Sequence, residues 1–130
     1  MKRSFFLTLI LGAFLFVGLP NIKADEHHHG KQSAKVNFEQ QYRLNGVLLF
    51  GEYLVVHDDE AKARGEDCVF FYRVKPDGAK SLAVSYHCKA VKRTKAETFK
   101  VLAARRQTAW SIAEIEEIQF AGTTDGHRVP

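Results

Sequence analysis

The chain has 130 residues, 45% of them hydrophobic, 12% aromatic and 26% charged, which suits one folded domain and excludes wholesale disorder, a collagen repeat and a coiled coil. Its formal charge of +4 shrinks once the first 24 residues are set aside as an export signal: 19 Lys and Arg less Lys2, Arg3 and Lys23 leave 16 basic residues against 15 acids, or +1. So nearly neutral a product, with no run that interleaves basic and aromatic residues, lacks the footprint of a nucleic-acid binder.

Residues 1–24 have the layout of a signal peptide. Lys2 and Arg3 form a basic start, Phe5 to Leu19 is apolar apart from Thr8, Gly12 and Gly18, and Pro20 closes the run. The run is shorter than the ~20 residues a bilayer span takes, and cleavage fits best after Ala24. Nothing later could span a membrane, so the product is expected to be exported, either periplasmic or secreted. Residues 25–35 are polar and contain His27, His28 and His29, so they are expected as a flexible tail before a single β-rich domain over residues 36–120.

Val36 to Leu44 reads as a strand, and Asn45-Gly46 is a hairpin turn leading into Val47 to His57, one long strand bulged at Gly51. On it Tyr53 and Val55 lie opposite Leu54 and Val56. Asp58 to Gly65 reads as one short helical turn, with Asp58 or Asp59 as its cap and Gly65 as its end.

Cys68 and Cys88 are the two cysteines, and in an exported chain they are expected as a disulfide. The flanking pattern agrees. A hairpin turning on Pro76, Asp77 and Gly78, with Val74 opposite Leu82, sets Tyr72 opposite Val84, Phe70 opposite Tyr86 and Cys68 opposite Cys88. This register gives an apolar face and a mixed face that holds Val69, Phe71, Arg73, Ser85 and His87.

Lys95 to Ala104 returns to strand character. Residues 112–120 carry two readings: Ser111 and Glu114 fit a capping box with Trp110 and Ile115 as its staple, whereas an antiparallel meander would pair the segment with Lys95 to Ala104. The meander favours the strand. Residues 121–130, with two glycines and adjacent threonines, read as a C-terminal loop. The expected fold is all-β: a small antiparallel meander of five or six strands forming a curled sheet, barrel or sandwich, with one short helical turn and one cross-strand disulfide.

The chain carries no nucleophile elbow, phosphate loop or dinucleotide signature, so an enzyme is not expected. The leading expectation is a non-catalytic exported β-domain that binds a protein, glycan or envelope component, with Tyr53, Phe71 and Trp110 as candidate interaction aromatics and no cofactor. The alternative is a copper- or zinc-binding protein. A free terminus at Asp25-Glu26-His27 sets an amine, two backbone nitrogens and an imidazole around one ion, His28 and His29 add donors, and His57 with His87 offers a second, weaker site beside Asp58, Asp59 and Glu60.

Overall fold

The computed structural model describes residues 30–104 and 111–130. The export signal, His27, His28, His29 and Trp110 therefore lie outside the described residues.

Among the described residues the strands are β1 (Lys31–Leu44), β2 (Val47–Asp58), β3 (Val69–Val74), β4 (Lys80–Tyr86), β5 (Lys89–Lys92), β6 (Lys100–Ala103), β7 (Ala113–Gln119) and β8 (Asp125–Arg128), with one helix, α1 (Asp59–Ala63). They form an 8-stranded sheet in the order β4-β3-β2-β1-β7-β8-β5, with β6 on the second edge of β7. All neighbours are antiparallel except β1 and β7, which run parallel through Tyr42↔Ala113 and Arg43↔Glu114. The all-β expectation holds, as a curled mixed sheet forming a half-barrel with eight described strands in place of five or six.

Asn45 and Gly46 turn the β1–β2 hairpin with φ of 47° and 80°, the left-handed pair that a two-residue hairpin turn takes. On β2 the odd positions Leu49, Tyr53, Val55 and His57 are buried while Leu48 and Phe50 are exposed, so the period-2 pattern selects one inward face. Gly51 sits beside a register break, but the extra residues belong to β1: Phe38 pairs with Gly51 and Tyr42 with Leu49. Asp58 caps α1 by accepting the Glu60 and Ala61 N–H groups at 3.0 and 3.2 Å, and Gly65 follows it with φ of 75°. Residues 112–120 resolve as a strand, since β7 pairs with β6 from Lys100↔Gln119 to Ala103↔Ile115.

Three expectations need correction. First, Lys31 to Lys35 belong to β1, where they pair with Asp58 to Leu54, so that part of the expected tail is ordered backbone in a sheet. The ladder needs only backbone groups, which a polar sequence supplies as well as an apolar one. Second, β3 and β4 pair as Val74↔Lys80, Tyr72↔Leu82 and Phe71↔Val84, with a shift after Phe71, so the register lies one or two residues from the expected one. This inverts the ribbon: Val69 and Phe71 are the core face, Phe70 and Tyr72 are half-buried, and Leu82 is 55% exposed. Third, the expected C-terminal loop contains β8, which pairs with β7 through Ile118↔His127 and with β5 through Ala90↔His127.

The core gathers Phe38, Leu44, Leu49, Tyr53, Val55, Phe71, Ile118 and Phe120 inside the curl. Strands β4 and β5 stand at opposite ends of the hydrogen-bonded order, yet only His87 and Cys88 separate them in the chain. That two-residue link ties the two ends of the curled sheet together, and the disulfide lies on it: Cys68 and Cys88 are paired with Cα atoms 6.0 Å apart, both buried. Closing a loop of this length stabilises a fold by roughly 3 kcal/mol in the chain-entropy model. No helix among the described residues is long and apolar enough to cross a membrane.

Candidate metal centre

Three chains of residues converge where the sheet closes. His57 is the last inward-facing residue of β2, one alternation beyond Val55. His127 faces inward from β8 because it is the cross-strand partner of Ile118. Cys88 sits on the link between β4 and β5. One donor atom from each lies within 4.8 Å of the other two, and all three residues are buried.

The imidazole rings of His57 and His127 lie 4.0 Å apart, centroid to centroid, tilted by 30°. Cys88 Sγ is 3.7 Å from His127 Nδ1. Phe120 walls the pair, 5.8 Å from the His127 ring and 6.5 Å from the His57 ring, and Tyr86 donates its hydroxyl to the His127 carbonyl at 3.2 Å. Among the described residues, His57 Nδ1, His57 Nε2 and His127 Nε2 have no hydrogen-bond partner. Asp59 approaches His57 Nδ1 to 3.4 Å from an exposed position, outside hydrogen-bonding geometry.

Buried polar atoms without partners are rare, because each costs about 1–3 kcal/mol in lost hydration. Three of them on two adjacent rings mark a place where the fold holds donors for something else. Burial lowers the His57 pKa against the pull of Asp59, and burial together with neighbouring His57 lowers that of His127 to about 4. Both rings are therefore neutral near pH 7, the form in which imidazole ligates a metal. A tetrahedral zinc site with bonds of 2.0–2.3 Å sets nitrogen and sulfur donors about 3.4–3.6 Å apart, so donors within 4.8 Å of one another are open by at most about 1.4 Å.

β8 is held in place on its other face. Glu117, buried on β7, takes bidentate hydrogen bonds from Arg93 at 2.8 and 2.9 Å, and Arg128 approaches it to 3.8 Å. Gln119 Nε2 donates to the Thr94 and Thr123 carbonyls at 2.8 and 2.7 Å, which fixes the loop between β7 and β8. Gly126 permits this packing, since a Cβ there would stand 2.6 Å from Glu117 Oε2. These contacts orient the backbone that carries His127.

Of the residues expected to bind metal, His57 is in the cluster and His87 is not: its ring is exposed and its Nδ1 meets the Glu66 carbonyl at 2.8 Å. The two therefore share no site, because successive residues around the β4–β5 link point to opposite sides. His127 escaped the sequence reading. Of the candidate interaction aromatics, Tyr53 and Phe71 are 1% and 0% exposed, so both rings belong to the core and neither is presented to a partner. Comparison with protein-family models, curated proteins and solved structures gives no match.

Proposed function

We propose that this protein is a metal-binding β-domain whose centre is formed by His57, His127 and Cys88. The observation that carries the reading is the set of three orphaned imidazole nitrogens, on two buried rings 4.0 Å apart, beside a sulfur. Nitrogen and sulfur donors suit zinc or copper over magnesium or calcium, which take oxygen. The sequence-level alternative of a copper or zinc protein is thereby kept, with the internal His57 and His127 in place of the pairing of His57 with His87.

Export is part of the proposal. The signal-like residues 1–24 support it, and so does a disulfide in a chain with no other cysteine. All three residues are buried, which suits holding an ion over presenting one to a substrate. Binding of one metal ion, with Cys88 as a thiolate, is the function this geometry supports.

The test is zinc titration of the purified protein, reduced with a non-coordinating phosphine and counted by native mass spectrometry. The background carries His27→Ala, His28→Ala and His29→Ala, so that the tail cannot contribute. One equivalent is expected, lost in His57→Ala and in His127→Ala and retained in His87→Ala. Binding that survives both core substitutions would refute the assignment.

A further inference from the structure

The metal reading leaves Cys68 outside the centre, although its sulfur is bonded to the sulfur of a ligand. We infer that the Cys68–Cys88 disulfide gates the centre: reduced, both thiolates join His57 and His127 as a four-donor site for a divalent cation of the zinc type; oxidised, the site does not retain the ion. This inference rests on the metal reading above and specifies its ligand set and its regulation.

Proximity supplies the first argument. Cys68 Sγ is bonded to Cys88 Sγ, which is one of three donors already within 4.8 Å of each other, so a fourth donor adjoins the cluster. Two histidines and two cysteines are a donor set that closes a tetrahedral zinc site.

The second argument is local. The Cys88 backbone N–H points at Cys68 Sγ at 2.9 Å. That N–H supplies the sulfur with a hydrogen-bond donor of the kind that outer contacts give to ligating groups.

Charge supplies the third. Two neutral imidazoles and a disulfide carry no charge, so a divalent ion among them would be an uncompensated charge among Phe120, Tyr86 and Val69 in the core. Two thiolates cancel it. The same buried surroundings thus reject the ion in the oxidised state and accept it in the reduced one.

The chemistry balances with a dithiol reductant. Its thiolate attacks one sulfur of the pair, giving a mixed disulfide, and its second thiol displaces the remaining cysteine, so that the reductant departs as a disulfide. Two electrons and two protons pass to Cys68 and Cys88, which become thiols. A zinc ion then replaces both thiol protons, which go to solvent, and forms two zinc–sulfur bonds. Oxidation by a disulfide-bearing oxidant reverses this: the S–S bond re-forms, the oxidant takes up two electrons and becomes a dithiol, and the ion leaves. Both sulfurs are buried, so the exchange proceeds at the rate at which the β4–β5 link opens.

The experiment compares the disulfide form and the phosphine-reduced form of the same protein, in the background without tail histidines, by zinc titration against a competing chelator. The reduced form is expected to bind one zinc at least about 100-fold more tightly, since even outer contacts to a site change affinity 10- to 100-fold. Adding a disulfide oxidant to the loaded protein should release the zinc as the Cys68–Cys88 bond re-forms, leaving the protein about 2 Da below its reduced, zinc-free mass, while the oxidant takes two electrons from the sulfurs and two protons from solvent. The redox comparison needs no variant; Cys68→Ser, as a further arm, should weaken zinc binding and abolish the response to oxidant. Equal affinity in the two redox states, still dependent on His57 and His127, would overturn the gate and leave the metal reading intact. No zinc in either state would overturn both.

Discussion

Glu117→Gln tests how β8 is held. Glu117 is buried and accepts two short bonds from Arg93, at 2.8 and 2.9 Å, in bidentate geometry. Hydrogen bonds to charged groups contribute about 1.5–3 kcal/mol each, and glutamine replaces one acceptor oxygen with an amide that faces the Arg93 N–H groups. Arg93 keeps 38% of its side chain in water, which recovers part of its hydration, so the net loss is expected at about 2–3 kcal/mol. Urea unfolding at pH 7 measures it, with an unchanged slope showing that the folded state is otherwise intact. The pH dependence fixes the cause. The Arg93 bonds hold the Glu117 pKa below its usual value of 4.5, so the contribution is fully present above pH 4.5 and is lost as pH falls through the folded value. The gap between the two proteins should therefore narrow in acid. A loss under about 0.5 kcal/mol at pH 7, or a gap that widens as pH falls, would refute the reasoning.

Gly126→Ala should destabilise the fold by about 1–3 kcal/mol, measured by thermal denaturation, because its Cβ meets the Glu117 carboxylate at 2.6 Å. Phe71→Ala should cost about 3–5 kcal/mol in urea unfolding and Leu82→Ala under about 0.5, the reverse of what the sequence-level register implies. Asp58→Ala should cost about 1 kcal/mol through loss of the α1 cap, again by thermal denaturation. His57→Leu is expected to leave the metal-free protein within about 1 kcal/mol of the parent, or more stable, because it removes two orphaned nitrogens, while zinc binding is lost in titration. A ligand that costs its own fold nothing to remove is the signature of a side chain kept for binding.

Much of the fold was legible because independent local signals agree. Asn45-Gly46 marks a two-residue hairpin, alternation along β2 separates Tyr53 and Val55 from Leu54 and Val56, and Asp58 with Gly65 brackets the helix. The β3–β4 register was not legible, since Val69, Phe70, Phe71 and Tyr72 are apolar on both faces and alternation cannot choose between them. The bulge after Phe71 decides it.

Half of the site had a signal. Alternation puts His57 on the face of Tyr53 and Val55, but Leu54 and Val56 are apolar as well, so the structure is needed to show that this face is the inward one. His127 had none. Its strand, Asp125 to Arg128, has no apolar residue and lies among Gly122, Thr123, Gly126 and Pro130, which read as turn formers. The strand exists because Glu117 and Gln119 anchor its surroundings and because Gly126 lacks a Cβ, and these are tertiary causes. The meeting of Cys88 with both rings follows from the closure of the sheet, which no local pattern encodes.

The central claim is that His57, His127 and Cys88 bind one metal ion, and X-ray absorption at the zinc edge of the reduced, zinc-loaded protein tests it most directly. The account predicts a four-coordinate shell of mixed donors, nitrogen at about 2.0 Å and sulfur at about 2.3 Å, with imidazole scattering, and His127→Ala no longer retaining zinc in that shell. A shell of oxygen and nitrogen alone, unchanged by that substitution, would contradict it.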